Sequence, residues 1–171
     1  TLVLFDYGEA GDLLNAAQEY LLEKLPWVDC VIHKTRSARD PVQRRGKLAF
    51  GDNPSEKIRE HGVWYALDLQ INQDASFYLD TRELRKWLLA NAEGWRVLNT
   101  FAYTGSLGVA ALAGGAAYVL QTDLKHKFLG LARQSAALNR LDFGKMKLKA
   151  NDFFSQIAAL KRQDQLFDCI I

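Results

Sequence analysis

A chain of 171 residues, 49% hydrophobic and 25% charged, can build one packed domain, or a small domain joined to part of a larger one. Its 22 Lys and Arg against 20 Asp and Glu leave a formal net charge of +2, too little to name a partner, so charge is read locally. No apolar stretch approaches the roughly 20 residues of a membrane span, and the start TLVLFDYGEAGD has no basic region ahead of its short apolar run.

Leu2 to Phe5 reads as a short strand. Asp12 can cap a helix running to about Lys24, where Leu13, Leu14, Ala17 and Leu21 recur at helical spacing and Pro26 ends the run. Trp27 to His33 reads as a strand, and KTRSARDPVQRRGK, Lys34 to Lys47, as a loop without apolar period. Lys57–Glu60 and Val63–Leu69, separated by His61-Gly62, read as a β-hairpin. Residues 1 to 72 are therefore expected to form a small α+β domain.

From residue 73 to 171 the texture is that of a second, larger domain. A helix from about Asp80 leads to Gly94. Strands at Arg96–Phe101, Tyr118–Thr122, Lys145–Lys149 and Phe167–Ile171 alternate with helices at Ser106–Ala113, Lys125–Asn139 and Asp152–Lys161. Apolar strands alternating with helices of this length predict an α/β fold, a doubly wound parallel sheet with helices on both faces. Cys30 and Cys169 have neither metal spacing nor a disulfide framework; each lies in an apolar run, so both are expected as core thiols in a reducing cytoplasm.

In such a sheet, ligands sit at the carboxyl ends of the strands. The loop Thr100, Phe101, Ala102, Tyr103, Thr104, Gly105 lies there, and the helix N-terminus behind it favours an anionic or carboxylate group. Asp123 ends the second strand eighteen residues after Gly105, where an acid can take the ribose hydroxyls of an adenosine cofactor. Asn151-Asp152-Phe153 ends the third, placed for the adenine amino group, with Phe153 or Leu124 as an apolar face. The plainer alternative is that Asp123 and Asp152 cap the helices that follow and Phe153 is core. NAD needs glycine where its pyrophosphate meets the loop, and Ala102 and Tyr103 stand there instead. S-adenosylmethionine has no pyrophosphate, so it is the expected cofactor; an NAD-linked oxidoreductase is the alternative.

The segments FYLDTRELRKWL, VLNTFAYTGSLGVAAL, QTDLKHKFLGLARQSAALNRL, NDFF and FDCII together resemble a family of class I S-adenosylmethionine-dependent methyltransferases that modify large-subunit ribosomal RNA, at cytosine carbon 5 or guanine nitrogen 7. The resemblance covers about Val63 to Ile171. It implies a Rossmann-like sheet, with Thr100 to Gly105 at the methionine end of the cofactor, Asp123 at the ribose and Asn151, Asp152 and Phe153 on the adenine side. Tyr78, Asp80 and Arg82 would close the pocket from the segment before the sheet; there the alternative is a helix start capped by Asp80. Where many relatives carry Lys-Thr-Gly before the aromatic pair, this chain has Asp74-Ala75-Ser76.

The resemblance also makes RNA the expected partner. Lys34, Arg36, Arg39, Arg44, Arg45 and Lys47 against one acid, Asp40, can neutralise phosphates; the alternative is a solvated loop. A homodimer stays open, and so does a non-catalytic cofactor- or RNA-binding module of the same fold. Cytosine carbon 5 needs a thiolate that adds to the ring first. Cys30 is in the wrong part of the chain and Cys169 in a strand, so no catalytic residue is named. The chain lacks an initial Met and stops inside the apolar run FDCII, so it reads as part of a longer protein. Because the family follows this strand with Asp-Pro-Pro, the parent chain is expected to continue into an acid and a Pro-Pro pair. The 171 residues are expected to keep part of the cofactor pocket without transferring a methyl group.

Overall fold

The computed structural model describes residues 1–8 and 12–171. They divide into two compact units, Thr1–Glu56 with Leu67–Ser76, and Lys57–Ala66 with Phe77–Ile171.

The first unit contains β1 (Leu2–Asp6), α1 (Leu13–Lys24), β2 (Val31–Thr35), α2 (Pro41–Arg45) and β3 (Lys47–Phe50). β1 and β2 run parallel, and β3 is antiparallel to β2. Asp12 stands at the N-cap of α1, but its side chain makes no capping bond. The strand expected from Trp27 begins only at Val31: Trp27 is exposed, while Val28, Cys30, Val31 and Ile32 are buried. The loop expected over Lys34–Lys47 is corrected too, since it comprises the end of β2, all of α2 and the start of β3. Asp40 caps α2 by accepting a hydrogen bond from the Val42 N–H at 2.9 Å, with Pro41 in the first turn. Five helical residues are too few to show an apolar period.

In the second unit β4 (Lys57–Glu60) and β5 (Val63–Ala66) form the expected hairpin. His61 at φ 50° and Gly62 at φ 86° give its two-residue turn the positive φ values that match strand twist. The sequence grouped this hairpin with residues 1 to 72, but its contacts place it in the second unit. Val63 and Tyr65 share a buried cluster with Val109 and Ala132. The Asn139 amide pairs with both backbone groups of Trp64, at 2.8 and 2.6 Å, and the Ala66 N–H donates to Ser135 Oγ at 2.8 Å.

A 3-10 turn at Leu79–Thr81 leads into α3 (Arg82–Asn91). Then come β6 (Arg96–Asn99), α4 (Ser106–Ala113), β7 (Tyr118–Asp123), α5 (His126–Leu138), β8 (Met146–Ala150), α6 (Phe153–Arg162) and β9 (Cys169–Ile170). The four strands are parallel in the order β8-β7-β6-β9. This is a doubly wound Rossmann-like sheet. Val97 and Val119 face Ala110, Ala111 and Leu112 of α4 and Leu88 of α3; Leu98 and Leu120 face Leu160 of α6 on the other side. The chain leaves β6 toward β7 and β8 and returns on the opposite side as β9, so strand order switches between β6 and β9. A crevice outside the carboxyl ends of such strands is where this architecture places ligands. Cys30 is buried as expected, whereas Cys169 is only half-buried.

Helix α4 lies close to the sheet because its residues are small. The buried Gln121 side chain accepts from Asn99 Nδ2 at 3.1 Å and donates toward Met146 Sδ at 3.3 Å, so it cannot move aside. A methyl group built on Gly108 would overlap it, whereas one on Gly130 of α5 would meet nothing within 4 Å. Gly108→Ala is therefore expected to destabilise the protein by about 1–3 kcal/mol, the usual size of core overpacking, and Gly130→Ala to stabilise it by about 0.5–1 kcal/mol through helix propensity. Denaturant unfolding of both variants checks the opposite signs.

Candidate functional site

The loop from β6 to α4 carries unusual backbone geometry. Phe101 at φ 51° and Tyr103 at φ 52° are left-handed non-glycine residues, and Gly105 follows at φ 76°. Each such residue costs about 1–3 kcal/mol and persists only where its surroundings fix it. Here they do. The Thr100 N–H and hydroxyl both donate to the Ile171 carbonyl at 2.7 Å, across the switch in strand order. The Ala102 N–H donates to the Thr122 carbonyl at 2.8 Å, and the Gly105 N–H to the Ala102 carbonyl at 2.7 Å. The Tyr103 N–H donates to Asp123 Oδ2 at 2.8 Å. Ala102 and Thr104 are buried. The strand expected to run through Phe101 ends at Asn99, because Phe101 turns out of the extended region.

Asp123 is therefore a brace as well as a strand end. Its other oxygen accepts from the Lys125 N–H at 3.0 Å, but the N-cap of α5 is Lys125, so the capping alternative does not describe it. A carboxylate has about four acceptor sites, so two such bonds do not exhaust it. Beside it, Thr122 Oγ1 is buried with no hydrogen-bond partner among the described residues. Asp152, by contrast, is the N-cap of α6 and accepts from the Ser155 N–H at 3.1 Å; hydrogen bonding from the Ser155 side chain first, and from its backbone N–H second, holds the carboxyl below the usual range. The capping alternative thus describes Asp152, and Asn151 Oδ1 accepts from the Asp152 N–H at 3.0 Å.

Aromatic rings gather at the same end of the sheet. Phe101, 71% exposed, stacks on Phe153 with centroids 5.0 Å apart, and Leu124 is exposed nearby in sequence at the end of β7. Phe153 is thus half-buried rather than core. Tyr78 lies 5.4 Å from Tyr103, which meets Phe128 edge-on at 4.7 Å. Asp80 falls in the 3-10 turn and Arg82 opens α3, both exposed; Asp80 is not the cap, as Thr81 holds the N-cap position of α3. A cavity of about 220 Å³ lined by Arg133, Phe143, Met146 and Leu148 opens beside α5 and β8, and none of those residues belongs to the loop.

One buried pair escaped the sequence reading. Arg85 of α3, 1% exposed, donates from Nε and one terminal nitrogen to both carboxylate oxygens of Glu60, at 2.6 and 3.0 Å. Burial alone would raise the Glu60 carboxyl; the hydrogen bonds and charge of Arg85, helped by His61 and Arg82, hold it below its ordinary value. The two residues are 25 apart in sequence, with no local signal to join them.

In the first unit the basic residues separate into two groups. Lys34 is buried and donates to the carbonyls of Asn72 and Asp74 at 2.8 and 2.6 Å. Arg36 pairs with the Asp74 carboxylate at 2.7 Å and lies over the Phe5 and Tyr7 rings. Arg39, Arg44, Arg45 and Lys47 are exposed on and around α2. The departure at Asp74-Ala75-Ser76 is absorbed here as well. Asp74 is the partner of Arg36, and Ser76, at φ 57°, accepts from the Asp68 N–H through Oγ at 3.1 Å.

Solved structures share this fold. A Streptococcus mutans protein described as a SAM-dependent methyltransferase superposes with a TM-score of 0.87 at 24% identity, over 98% of this chain and 44% of that one. A SAM-dependent methyltransferase from Agrobacterium tumefaciens gives 0.68 at 20% identity, over 86% of this chain and 47% of that one. The doubly wound sheet and its switch in strand order are the fold shared with these two structures. The S-adenosylmethionine-dependent methyltransferase family model matches residues 48–171, and the chain belongs to that family. Among curated relatives, the ribosomal RNA large subunit methyltransferase I of Salmonella paratyphi A is 32% identical over 185 aligned positions, 100% of this chain and 45% of the relative. That of Aeromonas salmonicida is 34% identical over 171 positions, 93% of this chain and 43% of the relative. The chain spans about half the length of the curated relatives it matches. Family membership replaces the oxidoreductase alternative. Among the described residues, no helix is long and apolar enough to cross a membrane.

The buried lysine has a measurable consequence. Burial pushes the Lys34 ammonium down to about 8, against the opposing charges of Asp74 and Asp68. Below that pH, Lys34 is charged in both states and the fold carries the full cost of burying it. Between about 8 and the unfolded value of about 10.4, the unfolded chain holds a proton that the folded chain has released, so stability rises with pH. Urea unfolding at pH 7.5 and 9.5 should show the wild type gaining about 2 kcal/mol relative to Lys34→Met, the scale of roughly one and a half pH units above the folded value.

Proposed function

We propose that the chain carries the S-adenosylmethionine site of a methyltransferase that acts on bases of RNA. The observation that carries this reading is the loop Thr100–Gly105, held in left-handed geometry by Thr122 and Asp123 at the end of the neighbouring strand. The residues fit the cofactor. The first turn of α4 has N–H groups without intrahelical carbonyls, suited to the methionine carboxylate. Asp123 keeps acceptor capacity for ribose hydroxyls, and the partnerless Thr122 hydroxyl lies directly before it in the chain. Phe101, Phe153 and Leu124 offer apolar surface to an adenine ring. Because Asp152 is spent on its cap, the Asn151 and Asp152 contribution falls to their remaining acceptor sites and to the Asn151 amide.

When bound, S-adenosylmethionine supplies an activated methyl group on a sulfonium. The work left to the chain is to position the two reactants and exclude water. A rigid, prestrained loop suits that work, because it does not have to be ordered when the cofactor binds. RNA as substrate is supported by the names of the relatives and by the outward-facing Arg39, Arg44, Arg45 and Lys47. Arg36 contributes less to such a surface, being paired with Asp74. A target base inside a duplex would have to be flipped out to reach a donor at the strand ends. A cytoplasmic site of action belongs to the same proposal.

Two measurements test it. Asp123→Ala should weaken S-adenosylmethionine binding by about 1–3 kcal/mol in calorimetric titration, the scale of a lost charge-assisted hydrogen bond. Equal affinities would reduce Asp123 to a loop brace. Arg44→Ser with Arg45→Ser should lower RNA affinity and flatten its dependence on salt by about two phosphate contacts, with cofactor affinity unchanged. An unaltered slope across a salt series would remove α2 from the RNA surface.

A further inference from the structure

The Arg85–Glu60 pair does more than fill a buried space, because Arg85 faces two ways. Two of its nitrogens grip the Glu60 carboxylate at the end of β4. The third, Nη1, donates to the Tyr78 carbonyl at 2.9 Å and to Thr81 Oγ1 at 2.6 Å. The Thr81 hydroxyl in turn donates to the same Tyr78 carbonyl at 3.0 Å. The guanidinium carbon Cζ lies over the Phe77 ring, 4.1 Å from its centroid. The backbone from Phe77 to Thr81 is therefore pinned by one planar group, which is itself fixed by a bidentate partner and a ring. A planar fork of five donors is the side chain able to do this; an ammonium is not.

What the pinned segment presents is Tyr78. Its ring sits 5.4 Å from Tyr103, which also meets Phe128 edge-on at 4.7 Å. Tyr103 is one of the two left-handed non-glycine residues of the loop, and its N–H is held by Asp123. The Tyr103 ring thus packs against both Tyr78 and Phe128 while its backbone is bonded to the strand end. Releasing Tyr78 removes one side of that packing and leaves the strained φ of Tyr103 less constrained.

We infer that Arg85 is a positioning residue for the cofactor loop: anchored by Glu60, it fixes Tyr78 against Tyr103 and so keeps the loop in its binding geometry. The inference rests on the reading of Thr100–Gly105 and Asp123 as the cofactor site, and it extends the site to two residues that do not touch it. Glu60 supplies the anchor and Thr81 the second acceptor.

The test is calorimetric titration of S-adenosylhomocysteine into the wild type, Arg85→Lys, Tyr78→Ala and Asp123→Ala, well below each melting temperature. Arg85→Lys keeps the charge but loses the fork, and should bind on the order of tenfold more weakly, the size of one lost hydrogen-bonded contact. Tyr78→Ala, which leaves the Glu60 pair intact, should show a similar loss with a smaller fall in melting temperature. A variant combining Arg85→Lys with Tyr78→Ala should bind no more weakly than Tyr78→Ala alone, because both changes act through the same ring, and losses that add would overturn the proposal. A lower melting temperature with unchanged affinity in Arg85→Lys would make Arg85 a purely structural residue and overturn the proposal. If Arg85→Lys does not fold, Tyr78→Ala decides alone, and unchanged affinity there overturns it. Binding lost in Asp123→Ala but kept in both Arg85→Lys and Tyr78→Ala refutes this inference and spares the cofactor site. A wild type that binds no S-adenosylhomocysteine defeats both.

Discussion

The Asp123 carboxylate ties the end of one strand to the loop leaving the next. Its two oxygens hold the Tyr103 and Lys125 N–H groups, and so they fix the two chain segments that begin α4 and α5. Without the bond to Tyr103, nothing intrinsic to a tyrosine favours φ 52°. The neighbouring Thr122 carbonyl does the same for Ala102. Strain of this kind is stored where a structure over-determines the backbone, and the over-determination comes from the parallel register that aligns Asn99 with Gln121. The sheet comes first in this logic, and the loop follows from it.

The layer beneath the loop explains why that register is specific. Asn99, Gln121 and Met146 lie on three adjacent strands and are linked side chain to side chain. Asn99 and Gln121 are buried amides, and a buried amide left unpaired costs more than a paired one gains. A slip by one residue would turn both to the other face. Gly105 and Gly108 answer to the same group, since a Cβ on Gly105 would lie 2.6 Å from Gln121 Oε1. Small residues in α4 therefore leave room for polar side chains in the sheet. A helix that is apolar on all sides, SLGVAALA, is what a position buried between a sheet and other helices requires.

Much of this was legible in sequence, and the parts that were not share a cause. Helix Ser106–Ala113 and the His61-Gly62 turn stand where periodicity and turn chemistry put them. Strand ends moved, because Phe101 belongs to an apolar run but adopts a turn conformation set by bonds to β7. Trp27 misled in the same way: an apolar side chain was taken as a strand residue, and it is exposed. The Asp40-Pro41 start of α2 carried a readable cap signal, but five residues gave no period to support it. Asp152 illustrates a real ambiguity, since an acid that ends a strand also begins a helix, and here its bond goes to the helix. Arg85 was invisible because a charged residue on an amphipathic helix reads as surface. Glu60, brought in by the hairpin, supplies the opposite charge that makes its burial tolerable.

The same dependence on distant partners separates the basic residues of the first unit. By sequence Lys34, Arg36, Arg39, Arg44, Arg45 and Lys47 are one cluster. In the fold, Lys34 points inward from β2 to carbonyls of the 67–76 segment and is depressed by burial. Arg36 is neutralised by Asp74 at 2.7 Å. A lysine at position 74 would repel Arg36 rather than bind it. What remains to meet a phosphate is the exposed group around α2, whose helix is held by Asp40, the one acid in the run. With Lys34 and Arg36 taken up by the fold, the field presented outward is weaker than the residue count suggests. A local charge count overstates a nucleic-acid surface whenever some of the cations are structural, and separating them requires knowing which acids and carbonyls the fold brings near.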